Sequence, residues 1–222
     1  MKKPDSTEAG GLVERLVKRL AVTISATDQS GATARAALGD LRANRFAYLA
    51  ADTLGAPMRN CFDLVRQAGA TQAKIANVLS LTEAETPVTL GATLVQTSAI
   101  YFCLATQAQI IASMTFTSRQ DVDALRAALL APFSTAEETA ADGMAQASFM
   151  ALIQLDAAVM NFLITSASPL PRMVAYQFAD ILPSLVVAYR LYQDAGRADQ
   201  IVQENKIVHP AFCPTAGLAL SA

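Results

Sequence analysis

Apolar residues recur along most of this chain at helical spacing, in blocks separated by glycine and proline. Leu12, Val13, Leu16, Val17 and Leu20 form one such block, and Leu38, Leu41, Phe46 and Leu49 form another within residues 32–51. Both patterns predict amphipathic helices. Gly55 and Pro57 close the second, and shorter helices are predicted from Met58 to Gln67 and from Thr71 to Leu79, with Gly69 as the stop between them. After Pro87 a helix runs to about Met114 with apolar residues around most of its circumference, which marks the centre of a bundle.

Two serines stand three residues before a carboxylate, Ser118 before Asp121 and Ser134 before Glu137. Each spacing suits a helix start, because the hydroxyl can accept from an orphan amide of the first turn. Two further helices are therefore predicted, the second long, from about Thr135 to Ser166, with Gly143 weakening its first third. Pro169 and Pro171 then end helical periodicity, and residues 173–178 predict a short strand. Helices are predicted over residues 182–192, with Pro183 in the first turn, and over 198–205, and the tail from Phe212 to Leu220 returns as a strand. The first eleven residues, rich in small and polar side chains, predict a flexible start. The resulting division is 1–11 flexible, 12–168 helical bundle and 169–222 a small terminal module.

Composition agrees with packed helices. Of 222 residues, 53% are hydrophobic, 6% are aromatic and none is Trp, while alanine recurs throughout. A formal net charge of -2 gives no basic face for phosphate contact, so nucleic acid is not an expected partner. The basic cluster Arg15, Lys18 and Arg19 reads as a solvated helix face. Residues 86–118 carry no charge and are long enough to span a bilayer, but Gln96, Thr97, Ser98, Thr106, Gln107, Gln109 and Ser113 interrupt them and no basic flank sets an orientation. A buried bundle helix is the expectation, without stable membrane insertion.

Little in the chain carries chemistry. The cysteines, Cys61, Cys103 and Cys213, are far apart and include no C-x-x-C pair, which suits free thiols, with Cys103 in the core and Cys213 nearer the surface. The single histidine, His209, precedes Pro210 and has no evident catalytic partner or co-ligand. Glu137 and Glu138 complement a helix dipole more naturally than they perform acid-base work. Gly10-Gly11 is isolated from any phosphate-loop pattern. No enzyme activity, cofactor or metal is expected.

One stretch is more specific: Leu185-Val-Val-Ala-Tyr-Arg-Leu-Tyr-Gln-Asp-Ala-Gly-Arg-Ala-Asp-Gln-Ile-Val-Gln-Glu-Asn-Lys-Ile-Val-His-Pro-Ala-Phe212. It resembles the carboxy-terminal signature of the Mu-like phage DNA circularisation proteins, a family of tail proteins. Residues 115–126, 168–172 and, more weakly, 55–62 are similar to the same family. Its members usually carry an amino-terminal β-rich domain, and nothing before Gly55 reads as such strands. The terminal stretch is also similar to a LysM module, a strand, two helices and a strand around a small core, with Asn205, Ile207 and Pro210 matching the N-x-I-x-x-P part of that pattern. Asn205 is read as ending a helix in the left-handed conformation while Ile207 packs inside.

These resemblances imply a mainly α fold, a helical bundle body followed by a small LysM-like βααβ module. They also imply a structural component of a contractile phage-type tail, at the baseplate or tube junction, assembled in the host cytoplasm and carried in the virion. Its implied partners are other tail and baseplate proteins, among them hub, tube, wedge or sheath-associated subunits, and further copies of itself, three or six around the tail axis. Tyr189, Tyr192, Arg197, Asn205, His209 and Phe212 are the expected partner-docking residues. The LysM likeness implies an alternative, a peptidoglycan-binding module acting at the cell wall. Tyr189, Leu191, Ile201 and Ile207 are expected in the terminal core.

Overall fold

A computed structural model describes residues 3–221. The chain is mainly helical: seven helices form a body, and a β1-α8-α9-β2 module follows. The body comprises α1 (Lys3–Thr23), α2 (Gln29–Ala50), α3 (Gly55–Gln67), α4 (Gln72–Glu83), α5 (Leu90–Ile111), α6 (Arg119–Asp142) and α7 (Gln146–Ala167). By contact the chain divides into two compact units, Met1–Met114 with Leu129–Val159, and Thr115–Ala128 with Met160–Ala222.

The start of the chain departs from the sequence expectation. Residues 1 and 2 lie outside the described residues, but α1 begins at Lys3, and Ala9 and Gly10 are buried within it. Helix propensity alone would not order this glycine-containing segment. Tertiary contact does: Ala9, Leu12, Val13, Leu16, Val17 and Leu20 form one continuous buried stripe. A Cβ at Gly10 would collide with the Phe46 ring of α2, so the glycine is what lets that ring approach.

Polar groups of α1 also hold the start of α5. The first N–H groups of a helix lack intrahelical acceptors. Here Glu8 accepts from the amides of Val88 (2.8 Å) and Thr89 (2.9 Å) and from the Thr89 hydroxyl (2.5 Å), and Asp5 accepts from Gly91 N–H (2.8 Å). The Thr89 hydroxyl in turn caps Ala92 N–H at 3.4 Å. The hydrogen bond from Thr89, aided by those backbone amides, holds the Glu8 carboxyl below its ordinary range. Two turns on, Arg15 grips Glu85 through two 2.9 Å bonds and Arg19 adds a third. The basic cluster is therefore partly an internal clamp on the α4–α5 connection.

Two of the polar residues of α5 whose cost the sequence raised find partners, although the buried side-chain nitrogen of Gln107 has none among the described residues. Gln96 donates to the carbonyls of Thr82 and Glu85 at the end of α4, both at 2.8 Å, and the Gln107 carbonyl accepts from Gln72 at 3.1 Å. Cys103, Leu104, Ala108 and Ile111 are buried, whereas Leu90 and Leu94 at the start of the helix are exposed. By length and apolar content α5 and α7 would each also suit a membrane span. In α5, 44% of that apolar stretch is buried within the fold, against 17% in α7.

The third correction concerns α6 and α7. Ser134 starts no helix, because α6 runs unbroken from Arg119 through Pro132 to Asp142. Ser118 does cap it, accepting from Asp121 N–H at 3.2 Å and donating to the Asp121 carboxylate at 2.7 Å. Glu137 thus lies inside a helix rather than at a dipole end, and burial, with the Asp156 carboxyl nearby, pushes its pKa up. The long helix expected over 135–166 is instead divided at residues 143–145. Ala145 N–H reaches Ala140 O (2.9 Å) and Met144 N–H reaches Ala141 O (3.0 Å), the paired bonds of a Schellman stop. The left-handed position of that stop is held by Met144 (φ 51°), not by the neighbouring Gly143.

Two outcomes follow for stability. A left-handed conformation costs a residue with a Cβ roughly 1 kcal/mol relative to glycine, and Met144 is 91% exposed with little packing to lose. Met144→Gly is expected to stabilise the fold by about 1 kcal/mol, read as a higher melting temperature. Glu8 has a folded pKa below its unfolded value, so its contribution is present above the unfolded pKa and lost as pH falls through the folded one. Glu8→Gln is therefore expected to lower stability at pH ~7, with the difference from wild type shrinking in denaturant titrations below about pH 4.

Candidate functional site

The terminal module pairs β1 (Met173–Gln177) antiparallel with β2 (Ala216–Leu220), and places α8 (Ser184–Tyr192), a 3-10 turn at Ala195–Arg197 and α9 (Ala198–Glu204) between them in sequence. Pro183 is the residue just before α8 rather than in its first turn. The order and pairing are those of the expected βααβ module. Tyr176, Val187, Ala188, Ala198, Ile201, Cys213 and Ala219 form its core, with Phe178, Leu182, Leu191, Tyr192 and Ile207 half-buried against it. Cys213 is therefore internal, contrary to the surface position expected, and burial pushes its thiol pKa up. Of the four residues expected in this core, Ile201 is fully buried and Leu191 and Ile207 partly so, but Tyr189 is 61% exposed. It lies on the outer side of α8, two positions from Val187 and one from Ala188, which take the inner side.

Asn205 does not adopt the left-handed conformation; its φ is -98°, and Lys206 takes that position at φ 51°. The Asn205 side chain works elsewhere. Its carboxamide oxygen accepts from Leu218 N–H at 2.7 Å, and its nitrogen donates to Leu218 O at 2.8 Å and Ile201 O at 2.9 Å. The side chain thus presents a peptide-like donor and acceptor to the outer edge of β2 and ties that strand to the end of α9. The Tyr176 ring lies across from Gly217, its register partner, and a Cβ at Gly217 would stand 2.5 Å from Asn205 Oδ1 and 2.6 Å from Tyr176 Oη. Glycine is required there by close approach.

The six sequence-selected residues separate into three roles. Asn205 is internal bracing. Tyr192 and Arg197 hold each other, the guanidinium 3.6 Å from the ring centre, with Arg197 Nε also donating to Gln200 at 2.9 Å. Tyr189, His209 and Phe212 face solvent, with the His209 and Phe212 rings 5.2 Å apart and His209 Nδ1 accepting from Ala211 N–H at 3.3 Å. That hydrogen bond turns the segment and gives the imidazole a conformational role.

Exposed apolar residues that sequence reasoning missed join the last three. Ile181 (62%), Leu185 (58%) and Val208 (99%) are open to solvent, as is Phe212 (67%). Backbone bonds from Ser184 N–H to Pro210 O (2.7 Å) and from Cys213 N–H to Leu182 O (3.0 Å) lay residues 210–213 beside the entry to α8. Leu185 and Tyr189 extend the apolar side by one helical turn. The signal available in the sequence was this four-residue spacing, which competes with the register of the buried Val187 and Ala188. Among the described residues no group of three or more His, Cys, Asp or Glu is placed to hold a metal ion.

No family model matches this chain, and no curated protein matches it either. The role of Asn205 can be separated from ligand contact by substitution. Asn205→Asp keeps the shape but removes both N–H donors and sets a charge against the carbonyls of Leu218 and Ile201. We expect it to destabilise the module by about 1–3 kcal/mol and to speed hydrogen exchange at Leu218 with no ligand present. Exchange at Leu218 unchanged from wild type would overturn the bracing role.

Proposed function

We propose that this chain is a non-enzymatic structural component of a contractile phage-type tail, and that its terminal module docks it onto neighbouring tail or baseplate proteins. The observation that carries this reading is the outward apolar surface of the module, formed by Ile181, Leu185, Tyr189, Val208 and Phe212 around a core that is already complete without them. Exposed aromatic and aliphatic side chains beside a well-packed centre suit the anchor residues of a protein interface. The terminal signature that resembles the Mu-like tail family falls on this same module and is the reason the assembly is taken to be a phage-type tail. The apolar exterior of α7, where Met150, Ile153 and Ile164 face outward, supports a body that also packs against neighbours.

A second reading rests on the same exposed rings. Tyr189 and Phe212 can stack on sugar faces, which suits a cell-wall glycan, and sedimentation with purified peptidoglycan separates the two: pelleting at micromolar protein favours the glycan, and its absence leaves the protein interface.

Tail incorporation tests the docking reading. Phe212→Ser, made on an exposed side chain, is expected to leave circular dichroism and melting unchanged while reducing the chain's abundance in purified tails by about tenfold in quantitative mass spectrometry. Ile201→Asp, made in the core, is expected to unfold the module and abolish incorporation, because an unpartnered carboxylate there has no compensating contact. Absence of the wild-type chain from purified tails, or full incorporation of both variants, overturns the proposal.

A further inference from the structure

The two edges of the terminal sheet are treated differently. Phe178 N–H donates to Thr215 O and Ser221 N–H to Arg172 O, which continues the ladder at both ends and makes the even-numbered residues of β1 the ones that bond to β2. Met173, Ala175 and Gln177 therefore point their N–H and C=O groups away from β2. On the opposite edge the outward groups of Leu218 are occupied by Asn205, as described. On the β1 edge Gln120 does the same for Met173, its side-chain oxygen accepting from Met173 N–H at 2.7 Å and its nitrogen donating to Met173 O at 3.1 Å. Ala175 and Gln177 have no such cover; both are exposed, and no charge, proline or bulge guards residues 173–177. Unpaired edge groups of this kind are a template for another strand.

We propose that this open edge pairs with the same edge of a second copy of the chain, antiparallel and centred on Tyr176. The pairing is self-complementary. Ala175 of each copy stands opposite Gln177 of the other, and since both residues are outward-facing, each pair exchanges N–H···O=C bonds in both directions. The Tyr176 side chains stay in their own cores. Arg172 lies just before β1 and Asp180 lies three residues after it, past a bend, so an antiparallel pairing brings the Arg172 end of each copy near the Asp180 end of the other. Both residues are exposed and appear in no ion pair among the described residues. A parallel pairing would set like charges at the same end, so the charges favour the antiparallel orientation while the backbone supplies the bonds. A pairing this short is weak in isolation and gains from any assembly that raises local concentration. It does not depend on which particle the chain belongs to, nor on the apolar surface around Phe212.

Sedimentation velocity of the full chain from micromolar to millimolar concentration, with amide exchange at residues 173–178, tests the pairing. The wild type is expected to form dimers reversibly, with exchange at Ala175 and Gln177 slowing as concentration rises. Ala175→Pro removes an N–H that the monomer does not use, at an edge position proline tolerates, and is expected to weaken association by at least about tenfold. Arg172→Asp and Asp180→Arg are each expected to weaken it as well, and the double exchange to restore it, because the restored match is between copies. Three results each overturn the proposal: a wild type that stays monomeric throughout, a charge exchange whose double variant associates no better than the singles, or dimers that persist unchanged in Ala175→Pro. Phe212→Ser is expected to dimerise like wild type, which separates this edge from the docking surface.

Discussion

A buried helix without charge still begins with amides that have nothing to bond to, and in this chain those amides are met by carboxylates from a different helix. Asp5 and Glu8 of α1 close the first turn of α5, and Arg15 and Arg19 hold the connection that delivers the chain to it. Much of the body follows from that constraint. For its carboxylates to reach, α1 must be helical almost from its start, which orders a segment whose own composition would leave it loose. With α1 fixed, its apolar stripe has a surface to bury against, and Gly10 admits the Phe46 ring. Gln96 of α5 then completes the end of α4, and the Gln107 side-chain oxygen accepts from Gln72, so part of the polar content of the uncharged stretch is engaged as it is buried.

What the sequence made legible was local. Helix existence followed from apolar spacing, and the cap at Ser118 was readable because hydroxyl and carboxylate lie within one turn. The cap made by Glu8 on Val88 and Thr89 spans about eighty residues and leaves no signature in either segment alone. The α6–α7 boundary was missed for the opposite reason. Two local signals pointed the wrong way: Ser134 fitted a helix start, and Gly143 drew attention from Met144, which took the left-handed position. Pro132 shows the same override, since a proline that propensity would place at a boundary sits inside a continuous helix.

The terminal module was read well as an arrangement and less well as a set of roles. Strand, helix, helix and strand fell close to their expected bounds because turn residues punctuate them. The roles depend on which side of α8 each residue takes, and adjacent apolar residues from Leu185 to Ala188 leave that phase undetermined until Val187 and Ala188 are seen in the core. Tyr189 consequently moved outward and Leu185 joined it. Asn205 was singled out correctly as conformational, but its work is done by the side-chain amide on a strand thirteen residues later, a pairing that helix-end chemistry does not suggest.

The amide plug on β2 limits how far any strand addition can go. A two-stranded ribbon with both rims bare can add neighbours on either side indefinitely, which is the geometry of fibrils. Here Asn205 fills the outward hydrogen-bonding sites of Leu218, at the middle of one rim, and Gln120 fills those of Met173 on the other, leaving Ala175 and Gln177 as the adjacent outward residues of β1 without a side-chain partner among the described residues. A strand seated on β1 finds two adjacent outward residues, whereas one seated on β2 must displace the Asn205 amide from the middle of that strand, so growth on the second rim is disfavoured. Two side-chain amides thereby convert an open-ended template into a socket.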